Sequence, residues 1–382
     1  MIYLDNAATS FPKAPGVIEA MGGFLATTAG NPGRSGHALA LGAQAVVTAT
    51  RRGLAILLGA PDPSRVVFAA NATDALNLAL WGLLVAGDRV ITTSVEHNAV
   101  ARPLAALGDA GVRVTRVPCA PDGTLDPGEL ERALRAGPAR LVALTHASNV
   151  TGTILPIAEA AHLAHEHGAL VLVDAAQTAG VLPFDVAAMG LDLVALPGHK
   201  GLLGPTGTGG LYVGPGIRLR PLRQGGTGTR SEEERQPEDL PEALEAGTLN
   251  TVGIAGLGAA LAYLAERGVA AIRAHEEALT GRLLDGLRAI PGVTVHGTGD
   301  ATRQVAAVSI TLAGWEPLDL GAALDGSFGI AVRAGLQCAP LAHRTAGTWP
   351  LGTVRLSPGA FTTDDDIDQA LSALHALAGA VA

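Results

Sequence analysis

Short apolar runs recur along the first half of the chain, each followed by a longer Ala-rich stretch. The runs at 65–70 (R-V-V-F-A-A), 89–93 (R-V-I-T-T), 112–117 (V-R-V-T-R-V), 141–146 (L-V-A-L-T-H), 170–174 (L-V-L-V-D) and 193–196 (L-V-A-L) predict strands. The turn-free stretch 38–59 predicts a helix that stops at Gly59, and 73–84 predicts another. Continuously apolar strands alternating with helices argue for an α/β fold: a mainly parallel sheet covered by helices on both faces. Sites in such sheets gather at the carboxyl ends of strands.

Beyond residue 222 the pattern changes. Residues 224–239 (Q-G-G-T-G-T-R-S-E-E-E-R-Q-P-E-D) are polar and Gly-rich, an exposed loop. A helical stretch from 252 to 267 continues toward 288. The runs 293–296 and 306–312 then predict strands of a smaller α+β domain. We expect a large domain over 16–255, a small C-terminal domain over 256–382, and an N-terminal segment, 1–15, associated with the small domain.

Composition narrows the function classes. The 382 residues are 48% hydrophobic but only 3% aromatic, so Ala, Val and Leu must fill the core. Mean hydropathy of +0.32 supports burial rather than disorder. Acidic side chains outnumber basic ones, 35 against 26, for a net charge of −9, which argues against nucleic acid as a partner. No apolar run approaches the roughly 20 residues that span a bilayer, and the N-terminus does not read as a signal peptide. The expectation is a soluble, cytoplasmic protein without a membrane partner. Its two cysteines, Cys119 and Cys338, cannot make a disulfide framework or a zinc cluster by themselves. Cys119 reads as an unreactive thiol at a strand end.

Four segments at strand ends carry candidate chemistry. In V-D-A-A-Q, Asp174 ends a buried strand, where a carboxylate either caps the next helix or faces a cationic ligand atom. In L-P-G-H-K-G, Lys200 follows another strand about one βαβ repeat later, so the two groups fit neighbouring strand ends. A Lys framed by glycines and desolvated is suited to a Schiff base, and a pyridoxal phosphate site pairs such a Lys with an acid on the ring nitrogen. In A-N-A-T-D, Thr73 and the backbone of a helix start suit a phosphate or a plain helix cap. In S-V-E-H-N, His97 either stacks on a ring, moves protons, or is simply hydrogen-bonded.

Together these segments resemble the class V, fold-type I pyridoxal phosphate enzymes, and among them the cysteine desulfurases and selenocysteine lyases. The resemblance runs from Y-L-D-N-A-A-T (3–9) through S-N-V-T-G (148–152), D-A-A-Q, G-H-K and A-G-T-L-N (246–250) to R-A-G-L-Q-C-A-P (333–340) and V-R-L-S (354–357). It implies that Lys200 holds the cofactor covalently, that Asp174 keeps its ring nitrogen protonated, and that His97 stacks on the ring. Asn149 and Gln177 would act near the ring hydroxyl and the Lys200 linkage. Thr73 and His199 would hold the phosphate, with Thr248 reaching over from the other subunit of a homodimer. Arg355 would pair with the substrate carboxylate, a group that suits a bidentate guanidinium.

The resemblance also implies that Cys338 attacks the sulfur of L-cysteine, leaving a persulfide on the protein and releasing L-alanine. A nucleophilic cysteine works as a thiolate, which the flanking Arg333 and His343 are expected to favour. The short segment around Cys338 resembles the branch that hands sulfur to a separate small acceptor protein. Departures from the family pattern are Pro197 and Ala72, where relatives often carry hydroxyl residues at the phosphate site, and Leu336 and Gln337, where relatives often carry His. Rival readings are a selenocysteine lyase, a class V aminotransferase or epimerase with an idle Cys338, and a non-enzymatic cofactor-holding scaffold for a sulfur carrier.

Overall fold

The expected alternation of strand and helix organises the computed structural model, which describes residues 1–33 and 36–379. A short β1 (Ile2–Tyr3) precedes α1 (Val17–Thr27) and α2 (Ala38–Leu58). Then come β2 (Val66–Ala69), α3 (Ala72–Leu83), β3 (Arg89–Thr93), α4 (Asn98–Asp109), β4 (Arg113–Val117), α5 (Pro127–Arg135) and β5 (Leu141–Thr145). They are followed by α6 (Ile157–Glu166), β6 (Leu170–Asp174), β7 (Leu193–Pro197) and β8 (Gly209–Val213). The remainder runs α7 (Thr251–Arg267), α8 (Val269–Arg288), β9 (Val293–His296), β10 (Val308–Leu312), α9 (Pro317–Phe328), β11 (Ile330–Ala331) and β12 (Arg333–Gly335). It ends with α10 (Pro340–Thr345), β13 (Thr353–Leu356) and α11 (Asp364–Gly379).

Seven strands form one sheet in the order β2-β8-β7-β6-β5-β3-β4. Only β8 runs antiparallel to its neighbours; the other pairings are parallel. Every residue of β5 is buried, and alternate residues enter different cores: Val142 and Leu144 one, Leu141 and Ala143 the other. That is the period-two signature of a sheet covered on both faces. A four-stranded antiparallel sheet, β12-β13-β10-β9, packs with α8 and α11 around a third core. The N-terminus joins this C-terminal region, because β1 pairs in parallel with β11.

Two elements differ from expectation. The stretch 252–288 is two helices, broken at Gly268 (φ 82°) and bent by 79°. Among the described residues no single helix is long and apolar enough to cross a membrane. β8 escapes the apolar pattern because it opens with Gly209 and Gly210. A Cβ at Gly209 would lie 2.7 Å from the Leu196 carbonyl oxygen and 3.0 Å from the backbone of Asn71. Glycine there lets β8 pass close under the start of α3.

Candidate active site

β6 and β7 are neighbours with Asp174 opposite Ala195, so Asp174 and the turn carrying Lys200 leave the sheet side by side. Asp174 is 3% exposed, and its carboxylate accepts the Ala176 N–H at 2.9 Å. Burial raises its pKa, against the pull of that hydrogen bond and of Lys200. Lys200 is half-buried and lines a cavity. Burial is the main cause that lowers its pKa to about 8; Arg355 lowers it further, and Asp174, Asp5 and Cys338 oppose. Among the described residues the Lys200 ammonium has no hydrogen-bond or ion-pair partner. A buried acid short of a cation beside an unpaired lysine is the donor set that a pyridine ring bearing an aldehyde requires, and these residues fit that group.

Arg355, on β13, faces the same space and is 2% exposed. Its Nη2 donates to Asp5 Oδ1 at 2.7 Å and its Nη1 to the Asn149 carbonyl at 2.9 Å. Its Nε is buried without a partner among the described residues. Asn149 Nδ2 in turn donates to the Gln337 carbonyl at 2.7 Å. One residue thereby ties the arginine to the loop that carries Cys338.

That loop lies between β12 and α10, and Cys338 is exposed on it. Gln337 and Cys338 both take left-handed backbone conformations, φ 40° and 58°. Non-glycine residues adopt this region at a cost of about 1–2 kcal/mol each, so the surroundings must hold the turn. Gln337, 5% exposed, does most of this: its Nε2 donates to the Thr353 carbonyl at 2.9 Å and the Arg333 carbonyl at 3.1 Å, and its Oε1 accepts from His343 Nε2 at 2.7 Å. The Cys338 carbonyl accepts the N–H of Asn98, the first residue of α4, at 2.9 Å. His343 does not supply the expected positive charge. It is fully buried, and burial lowers its pKa to about 4, leaving it neutral. Lys200 and Arg355 are the cations whose charge is coupled to Cys338. Cys119 matches the unreactive reading: burial and then Glu96 push its thiol up to about 11.

His97 is the N-cap of α4, with Nδ1 accepting the Ala99 N–H at 3.0 Å, which leaves the ring proton on Nε2. Burial, reinforced by Lys200 and Arg355, lowers its pKa to about 4. Its neighbour Glu96 has no counterpart in the sequence reading. This carboxyl is 1% exposed; Oε1 accepts from Thr93 Oγ1 at 2.6 Å and the Thr145 N–H at 3.1 Å, and Oε2 is buried without a partner. Burial raises its pKa to about 8.

The remaining candidates lie around this centre. Gln177 Nε2 donates to the Ala7 carbonyl at 3.1 Å. Ala72 and Thr73 open α3, where backbone N–H groups lack intrahelical acceptors; Asn71 Oδ1 takes the Asp74 N–H at 2.9 Å, and Thr73 is exposed. His199 Nδ1 lies 3.1 Å from Thr9 Oγ1, and burial lowers its pKa to about 4. The His199 carbonyl gathers the Ser10 N–H, the Thr9 and Ser10 hydroxyls and the Lys13 ammonium, all within 3.2 Å. Residues 9–13 thus clamp the peptide just before Lys200, a role that the sequence reading missed. Thr248 is exposed and lines a cleft with Ala70, Asp74 and Arg223.

Comparison with known proteins agrees with this geometry. The family model described as "Aminotransferase class-V" matches residues 2–370. A protein of Methanothermobacter thermautotrophicus named "Probable cysteine desulfurase" is 36% identical over 99% of this chain and 95% of its own. A "Cysteine desulfurase" of Klebsiella pneumoniae is 36% identical over 98% and 93%. The apo cysteine desulfurase of Thermococcus onnurineus superposes with a TM-score of 0.93 at 31% identity, covering 99% of this chain and 95% of that one. Cysteine desulfurase CsdA of Escherichia coli, in its S-sulfonic acid form, gives 0.88 at 31% identity, covering 100% and 95%. The chain belongs to the class-V aminotransferase family.

Proposed function

We propose that the chain is a pyridoxal-phosphate-dependent cysteine desulfurase that converts L-cysteine to L-alanine and leaves a persulfide on Cys338. The observation that carries this reading is the chain of contacts from Arg355 through Asn149 to the Cys338 turn. It links the buried Arg355 to the turn that carries the exposed Cys338; in this reading the first holds the substrate backbone and the second meets its side chain.

The cofactor, when bound, supplies an electron-accepting ring that eases bond breaking at the substrate's α- and β-carbons. Lys200 would hold it, with Asp174 at the ring nitrogen, His97 against the ring face, Asn149 and Gln177 at the ring edge, and Ala72, Thr73 and His199 toward the phosphate. In a homodimer Thr248 of the second copy would complete that phosphate site. Arg355 orients the substrate carboxylate through its free Nε. Lys200, with a pKa near 8, exchanges a proton close to neutral pH. Cys338 takes the sulfur: a C–S bond breaks, an S–S bond forms, and the carbon gains a proton that was carried by a thiol. In this reading residues 16–255 form the cofactor-binding domain and 256–382 the small domain, to which 1–15 attach. The exposed turn at Cys338 leaves room for a small acceptor protein, and a free exposed thiol suits a reducing cytoplasm.

Incubating the cofactor-loaded protein with L-cysteine and mapping its peptides tests the proposal. One added sulfur on the Cys338 peptide, matched by one alanine released, supports it. Alanine without sulfur on Cys338, or a requirement for an amino-group acceptor, contradicts it.

A further inference from the structure

Beside Lys200 lies a cavity, lined also by Gln177 and Gly201, with about 40 Å³ of room for water. A water needs at least about 10–15 Å³ by this measure, so the space holds a few. Its walls come from the N-terminal segment, the turns after β6 and β7, residues 305–306 and 358–360, and one residue of α8, Glu276. Glu276 is 6% exposed, and among the described residues its carboxyl group has no hydrogen-bond or ion-pair partner. An unpartnered buried carboxyl is costly, and the desulfurase reading gives this one no task.

We propose that Glu276 is a positioning residue for the proton on Lys200, exchanging it through water held in the cavity between them. Lys200 and Glu276 are the two titratable side chains on the cavity wall. The charge that bears on Glu276 is Arg273, three residues earlier on α8. Its guanidinium is occupied by the Gln304 carbonyl at 2.8 Å, the Ala301 carbonyl at 2.7 Å and Glu277 at 3.0 Å. His275, on the same helix, is engaged by the Thr362 carbonyl at 2.9 Å. Burial raises the Glu276 pKa to about 8, with Arg273 opposing, and Lys200 also stands at about 8. A proton therefore passes between them with little driving force either way.

The reaction supplies a reason for such a partner, and here the inference rests on the desulfurase reading. In the balance E–SH + R–SH → E–S–SH + R–H, the carbon keeps the electron pair of the broken C–S bond and gains a proton from a thiol. The α-carbon separately loses and regains one. A single amine handles one proton at a time, so a second holder on the wall of the same cavity keeps Lys200 in the right state.

The chain contains only two lysines, Lys13 and Lys200, so full-length protein grown with isotope-labelled lysine gives two side-chain NMR signals. In the cofactor-free protein, Glu276→Gln should lower the midpoint of the Lys200 titration by about half a unit or more, because ionised Glu276 favours the ammonium. It should leave Lys13 unmoved. Should that variant fail to fold, Glu276→Asp, which keeps the acid one methylene shorter, should move the midpoint less but measurably. An unmoved Lys200 midpoint in the folded variant overturns the proposal. With L-cysteine, the cofactor-loaded Glu276→Gln protein should lose about tenfold in kcat with KM within twofold, and an unchanged kcat overturns it as well. If the unsubstituted protein makes no alanine, the desulfurase reading fails, while the lysine titration still decides the link between Glu276 and Lys200.

Discussion

Gln337 and His343 are joined through buried atoms, the Gln337 Oε1 accepting from His343 Nε2 at 2.7 Å, and this pair holds the turn that exposes Cys338. His343 is held in place from its other nitrogen by the Thr348 hydroxyl, also at 2.7 Å. The task of this glutamine is anchorage. Gln337→Ala should therefore cost about 2 kcal/mol of stability, since it leaves buried carbonyls and an imidazole unpaired. Persulfide formation should fall more steeply than cofactor loading. Denaturant unfolding and sulfur mapping on Cys338 check both.

Glu96 gives stability a pH dependence with a definite sign. Its folded pKa is raised to about 8 from 4.5, so the folded state holds a proton that the unfolded chain has lost. Its contribution is complete below pH 4.5 and is lost as pH rises toward 8. Glu96→Gln removes this loss. The variant's stability relative to the unsubstituted protein should climb between pH 4.5 and 8, by on the order of 3 kcal/mol at the upper end, in parallel unfolding titrations.

Arg355→Lys tests the carboxylate site. The substitution keeps a cation near Asp5 but removes the planar fork and the free Nε donor. KM for L-cysteine should rise about 10- to 100-fold, the worth of one or two charge-assisted hydrogen bonds. The loading of the cofactor should change little. Steady-state kinetics with separate KM and kcat read the split.

With two lysines in the chain, cofactor attachment has two candidate positions. Borohydride reduction of the loaded protein should fix the label on the peptide containing Lys200. Lys13 is committed to the His199 carbonyl at 3.0 Å and the Thr9 and Ser10 hydroxyls at 3.1 Å. Label on the Lys13 peptide contradicts the assignment.

Asp174 and Lys200 were legible because each ends an apolar strand where a charge has no packing reason to be. Arg355 stood out in the same way, between Val354 and Leu356. Glu276 did not, because H-E-E-A-L on a helix reads as a solvated charged face; only the packing of α8 against the cavity turns the carboxyl inward. Gln337 was noticed as a departure, but its function depends on β12, β13 and α10 meeting, which no local pattern reports. The break at Gly268 was hidden because a lone glycine between two helical stretches does not announce a 79° bend. The clamp of residues 9–13 on the His199 carbonyl joins segments about 190 positions apart, beyond the reach of spacing arguments.

The central claim is that Cys338 is the group that takes sulfur from L-cysteine. The most direct measurement is alanine release from L-cysteine by folded, cofactor-loaded Cys338→Ser. The exposed position predicts that this variant keeps its fold and cofactor, since the thiol is not packed in a core. A serine hydroxyl is scarcely ionised at neutral pH and is a poor nucleophile toward sulfur. Alanine release should fall by at least about a hundredfold while substrate binding persists through Arg355. Release at a near-normal rate from the serine variant would contradict the account.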